Sequence, residues 1–90
     1  MIDKSFVKDP QAKLDYVWDW TVWLAGDKIT GVSIIMPTGL TSNEYTYTDN
    51  TVTAWLEGGT AGNNYLVPCK ITTNSGRIDE RSILIICAEK

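Results

Sequence analysis

From Thr51 onward, apolar and polar residues alternate in short runs broken by glycine and asparagine. Thr51 to Leu56 sets Val52, Ala54 and Leu56 against Thr51, Thr53 and Trp55. Tyr65 to Thr72 sets Tyr65, Val67, Cys69 and Ile71 against Leu66, Pro68, Lys70 and Thr72. A two-residue period marks a strand with one buried face. Pro68 cannot donate a ladder hydrogen bond, so an edge or a bulge is expected there. Gly58-Gly59-Thr60-Ala61-Gly62 reads as a sharp corner and Asn74-Ser75-Gly76-Arg77 as a hairpin turn. Glu80 to Ala88 closes the chain, and Ile83, Leu84, Ile85 and Ile86 make it apolar on both faces. Such a strand is either central or covered by a partner. Strand, corner, strand, hairpin, strand is how the last three strands of an immunoglobulin-like sandwich are written. Tyr65, just past the corner, is placed to send its hydroxyl back to the corner backbone.

The front half follows the same rhythm. Leu14, Tyr16, Trp18 and Trp20 alternate with Asp15, Val17, Asp19 and Thr21. A helix would align Leu14, Val17, Trp18 and Val22, but the aromatic and β-branched content favours a strand. The rhythm changes at Trp20 to Leu24, where a short helical turn is expected before Ala25-Gly26-Asp27. Ile29 to Met36 sets Val32, Ile34 and Met36 against Gly31, Ser33 and Ile35. Leu40 to Thr48 sets Asn43, Tyr45 and Tyr47 against Glu44, Thr46 and Thr48. Pro37-Thr38-Gly39 and Asp49-Asn50 are the turns between strands. The expectation is an all-β chain, an immunoglobulin-like antiparallel β-sandwich of six or seven strands. Residues 1–13 read as an extended N-terminal arm, with Phe6 and Val7 able to add a strand to a sheet edge. Residues 14–90 read as the single sandwich domain.

Composition narrows the function classes. The chain has 90 residues, a formal net charge of −3 and no histidine. No basic cluster offers the footprint that nucleic acid requires. No apolar run reaches membrane-spanning length, and Met1-Ile2-Asp3-Lys4 lacks the apolar core of a signal peptide. Synthesis in the cytosol is therefore expected. Without histidine there is no His-based acid–base pair and no histidine metal ligand, and two cysteines alone do not build a zinc site. The glycine-rich corner follows a strand but leads into no helix, so it is not a phosphate loop. Asp15 and Asp19 lie ~13 Å apart along one strand face, too far for a glycosidase pair. No catalytic residue, metal site or cofactor is expected. Cys69 should face a residue near Ser82 or Ile83, and Cys87 one near Tyr65. That offset of ~13 Å forbids a bridge, so both read as buried free thiols.

Trp18, Trp20, Trp23 and Trp55 are many large aromatics for so small a domain. Trp18 and Trp20 share the phase of Tyr16 and are core candidates. Trp55 falls among threonines on the opposite phase and is the best candidate for an outward aromatic, able to anchor a protein contact or stack on a sugar. Arg77, Asp79, Glu80 and Arg81 pack four charges beside the hairpin turn, either as a soluble tip or as a charge-matched contact with a neighbour. Trp18, Trp23, Trp55, Arg77, Asp79, Glu80 and Arg81 are therefore the candidate interface residues.

These residues also carry a resemblance. Lys8-Asp9-Pro10, Leu14-Asp15-Tyr16, Asp19-Trp20, Trp23-Leu24, Gly26-Asp27 and Ile29 resemble the front half of a family of small tailed-bacteriophage virion proteins of the fiber–tail adaptor type. Leu56, Gly58 to Gly62, Tyr65, Ile71-Thr72-Thr73, Ser75-Gly76-Arg77 and Asp79 to Ser82 resemble its back half. The resemblance implies an immunoglobulin-like module in the virion, made in the host bacterial cytoplasm and present in many copies of a symmetric assembly. Its partners would be other virion proteins of the tail, fiber or connector, with no nucleic acid or membrane. It brings no catalytic residues. The arm could add a strand to a neighbouring copy. The alternative expectation is a carbohydrate-binding module that recognises a host glycan through Trp55 or Trp23.

Overall fold

The alternating runs become strands whose apolar phases face one another. The computed structural model describes the backbone of residues 2–89, and side chains from Lys4 onward except Asn43, whose expected face lies outside the described residues. In chain order the elements are β1 (Ile2–Lys8), β2 (Leu14–Asp19), α1 (Thr21–Leu24), β3 (Ile29–Ile34), β4 (Leu40–Tyr47), β5 (Thr51–Gly58), β6 (Asn64–Thr73) and β7 (Ile78–Cys87). One sheet has the order β1-β7-β6-β3 and the other β2-β5-β4. The order β2-β5-β4 opposite β3-β6-β7 is that of the B-E-D and C-F-G strands of an immunoglobulin-like sandwich. The first strand lies outside the last, and this pair departs from the antiparallel expectation: β1 runs parallel to β7, with Phe6 opposite Ile85. The segment that reads as an arm thus pairs within its own chain.

Between the sheets lies the core. Trp18, Trp20, Val52, Ala54, Leu56, Val67, Cys69 and Ile71 are fully buried, each on the phase that alternation assigns, and Ile85 of the doubly apolar β7 joins them. Leu14 shares the phase of Trp18 but stays exposed at the end of β2. Phe6 closes the β1 side against Tyr16, with ring centroids 5.0 Å apart. On the opposite side, Tyr45 and Tyr47 lie over the gap between β3 and β4, and the Tyr47 hydroxyl donates to the Thr30 carbonyl at 3.3 Å.

Pro68 corrects an expectation. β6 lies inside its sheet between β7 and β3, not at an edge, and its register with β7 runs through Pro68 without a bulge. The Pro68 carbonyl accepts from the Ile35 N–H at 3.1 Å, so the missing donor points to the same side, just beyond the last strand residue of β3. The ladder loses one bond where it is already ending, which is a local edge within an interior strand.

The corner forms around Tyr65. Its hydroxyl accepts from the Thr60 N–H at 2.9 Å, and the Asn63 and Thr60 hydrogen bonds hold it below the ordinary tyrosine value. Gly39 and Gly59 flank the ring, and the Gly59 N–H donates to the Gly39 carbonyl at 2.9 Å. A Cβ on Gly39 would meet Tyr65 Cε1 at 2.8 Å, and one on Gly59 would meet Cys87 Sγ at 2.3 Å. Both glycines have positive φ, 105° and 97°, so this packing excludes a side chain on two counts.

Lys8 is the unexpected core member. It is fully buried, and its Nζ donates to the carbonyls of Asp9 at 2.9 Å and Gly58 at 2.8 Å. A buried ammonium requires such partners, and here they tie the β1–β2 link to the corner.

Candidate functional site

Three of the four charges beside the β6–β7 turn, Arg77, Asp79 and Arg81, fold against the rest of the chain rather than standing free. Trp20 is buried, and its indole N–H donates to Asp79 at 2.8 Å. Arg81 pairs with Asp79 at 3.5 Å, lies over the Trp20 ring at 5.2 Å and donates to the Asp19 carbonyl at 2.8 Å. Arg77 lies over the Trp23 ring at 4.2 Å and pairs with Asp27 at 3.2 Å. It also donates to the Leu24 carbonyl at 2.9 Å and the Trp23 carbonyl at 3.4 Å, filling carbonyls that a single-turn helix leaves open. Asp27 accepts from the Ser75 hydroxyl and backbone as well. These hydrogen bonds, that of the Ser75 hydroxyl first, hold its carboxyl far below the ordinary range. Asp19 is likewise held low, chiefly by the Thr21 hydroxyl and N–H. The tract therefore clips the last hairpin to the β2–α1–β3 segment. The pairing of Arg77 with Asp27, fifty residues away, has no local signature in the chain.

Of the other candidates, Trp18 is fully buried in the core and Trp23 is half-buried under Arg77. Glu80 is exposed on the outer face of the four-stranded sheet, opposite Lys70. Trp55 is outward, as its phase predicts, with 37% of its surface exposed. The seven candidates thus do not form one site. Arg77, Asp79, Arg81 and Trp23 belong to the clip, Trp18 to the core, and Glu80 and Trp55 to opposite outer faces.

Those outer faces differ in chemistry. On the four-stranded sheet, Leu66 lies opposite Leu84, and Val7 opposite Ile86. Pro68 and Ile35 extend the same apolar patch, with Val7 47%, Leu66 44% and Ile35 59% exposed. The sequence signal for this patch was the doubly apolar β7: the strand is interior, yet its outer residues Leu84 and Ile86 are only half-buried. On the three-stranded sheet, Trp55 sits on the central strand directly between Asp15 on β2 and Glu44 on β4. The next row is Val17, Thr53 and Thr46.

An open depression of about 350 Å³ lies between β3 and β4, lined by Val32, Ser33, Ile34, Met36, Ser42 and Tyr45. Its lining is apolar with three hydroxyls and holds no carboxylate, thiol or cation. Cys69 and Cys87 are buried free thiols, and burial pushes the Cys69 thiol up to about 12. Cys69 faces Arg81, one or two positions from where the turn count places it. Among the described residues, no histidine, cysteine, aspartate and glutamate side chains gather into a metal-binding group, and no helix is long and apolar enough to cross a membrane.

Fold and site together define a small two-sheet β-sandwich whose distinctive features are outer surfaces rather than a cleft. A family model described as podophage GP4 fiber-tail adaptor protein gp77 matches residues 8–86. The chain belongs to that family of phage fiber–tail adaptors. No curated protein gives a significant match to the chain.

Proposed function

We propose that this chain is a non-enzymatic structural adaptor of the phage virion, present in several copies and docking tail or fiber components through the outer faces of its sandwich. The observation that carries the reading is the apolar patch of Val7, Ile35, Leu66, Pro68, Leu84 and Ile86. A contiguous apolar patch on an otherwise ordinary small domain marks a contact surface. The clip and the Tyr65 corner favour a rigid scaffold beneath that surface. Residues 1–13 are the separable part of this design. β1 holds an outer position beside β7, from where it can pass to the same position in a neighbouring copy, leaving residues 14–90 as the sandwich body.

Trp55 also keeps a glycan-binding reading in view, because an exposed indole can stack on a sugar ring. However, the strand positions sharing its face contain no second aromatic to extend such a platform.

The test is mass by light scattering, for the chain alone and mixed with the phage tail and fiber proteins. A discrete complex is expected for the wild-type chain, and L66E should weaken it without changing the fold. A strict monomer that binds none of these proteins would overturn the adaptor reading.

A further inference from the structure

Both arginines of this chain are engaged in the same way. Arg77 lies over Trp23 and pairs with Asp27; Arg81 lies over Trp20 and pairs with Asp79. Each set combines an indole face, a carboxylate and a guanidinium, the geometry in which cation–π attraction and a charge-assisted hydrogen bond reinforce each other. A third set has the first two parts and lacks the cation. Trp55 is exposed on the central strand of its sheet, with Asp15 and Glu44 in register on either side. Residues opposed across neighbouring strands stand ~4.5–5.5 Å apart between Cα atoms, so both carboxylates border the ring. No basic side chain forms a salt bridge with either among the described residues. The strand positions sharing that face carry the acidic Asp15, Asp19, Glu44 and Glu57 beside Trp55 and otherwise uncharged residues; Lys13 stands just before β2, and no lysine or arginine lies within the strands on that face. The sequence contains only the two arginines already engaged.

We propose that this face docks a partner protein by seating one of its cationic side chains, arginine for preference, over the Trp55 indole and between Asp15 and Glu44. The inference rests on the adaptor reading and names the chemistry of one of its partners. Charge complementarity selects that occupant. Two carboxylates across one indole offer only acceptors, which suits a guanidinium with five N–H donors better than a sugar, whose hydroxyls both donate and accept. Arginine is favoured over lysine because its planar fork stacks on the ring and reaches two acceptors at once. The apolar patch lies on the other sheet, so seating this cation leaves the first contact free and lets one small domain join two proteins.

The test uses the full chain with nitrogen-15 in its indole groups. Trp55 is assigned by W55F. The probe is a blocked peptide of sequence Gly-Arg-Gly-Arg-Gly, with its citrulline counterpart as the neutral control and a host-cell O-polysaccharide as the glycan control. At low salt the arginine peptide should move the Trp55 indole signal, while the buried Trp18 and Trp20 signals stay in place. The citrulline peptide should not move it. In D15N/E44Q, with both substitutions on exposed positions, affinity should fall about tenfold, as expected on losing charge-assisted contacts. An equal response to citrulline, undiminished binding by D15N/E44Q, or a response to the polysaccharide alone would overturn the proposal. Complex formation with tail and fiber proteins is scored on the same samples. If W55A and D15N/E44Q bind them as fully as wild type, the adaptor stands and this inference fails. If wild type binds none, the adaptor reading fails, and the peptide titration still decides the chemistry of the face.

Discussion

Replacing Tyr65 by phenylalanine removes one oxygen from the corner and leaves the ring between Gly39 and Gly59. The oxygen accepts from the Thr60 N–H at 2.9 Å and is also held by Asn63. Thr60 and Asn63 are exposed, so water can replace the lost acceptor and no group is stranded in the core. The cost is then the net value of one to two hydrogen bonds, about 1–2 kcal/mol. In a 90-residue domain that corresponds to a fall in Tm of about 5–12 °C. Thermal and urea unfolding followed by circular dichroism measure it, with an unchanged urea slope showing that the unfolded state is not altered. Y47F supplies the control. It makes the same chemical change on a half-exposed side chain whose hydroxyl lies 3.3 Å from the Thr30 carbonyl, and should stay within about 0.5 kcal/mol of wild type. If Y65F and Y47F were indistinguishable, the corner hydroxyl would contribute nothing and the architectural reading of the Gly58 to Tyr65 stretch would fail.

Other outcomes follow from the same geometry. G59A places a methyl 2.3 Å from Cys87 Sγ at a φ of 97°, and should cost at least about 2 kcal/mol in urea unfolding; a cost below about 0.5 kcal/mol would contradict the packing. The native protein should not react with a thiol reagent at pH 8, because both cysteines are buried and the Cys69 thiol is pushed up to about 12; two thiols should react after unfolding. Asp27 is held below its ordinary value, so its contribution to stability is full above the usual carboxylate range and is lost as the pH falls through that range and below it. D27N should therefore have the lower Tm at pH 7, and the two Tm curves should converge toward pH 2; parallel curves would show that Asp27 is not a source of acid sensitivity. β1 pairs with its own β7, Val7 opposite Ile86, so in V7C/I86C the cross-link should fall within one chain in the free protein and between chains in the assembled particle. Links within one chain in both would count against an exchanging arm.

The strands were legible because one physical rule, burial of alternate residues, acts at short range. Val52, Ala54 and Leu56, or Val67, Cys69 and Ile71, declare their face within a few residues of chain. The same rule places Trp55 outside and Trp18 inside. Lys8 shows where the rule and residue chemistry conflict. It shares the inward phase of Phe6, opposite Cys87, but its charge argues for the surface. Only the Asp9 and Gly58 carbonyls, the second supplied by a strand distant in sequence, make its burial tolerable. Sheet membership was less legible. The parallel seating of β1 on β7 and the interior position of β6 depend on which edges meet in space, and Pro68 argued for an edge or a bulge. Least legible was the clip. Arg77, Asp79, Glu80 and Arg81 stand together in the chain, and Arg81 does pair with Asp79. Arg77 instead reaches Asp27 and the carbonyls of α1, a choice set by the approach of the two loops. The acidic row of Asp15, Trp55 and Glu44 was hidden for the same reason, since its three members come together only through strand register.

The most direct test of the adaptor account is a density map of the assembled phage tail at a resolution that shows side chains. The account predicts this chain between two different proteins. Leu66, Leu84 and Ile86 would be covered on one side, with an arginine or lysine of the other partner lying over Trp55. A map in which both outer faces stand in solvent, or in which the chain is absent from the particle, would contradict it.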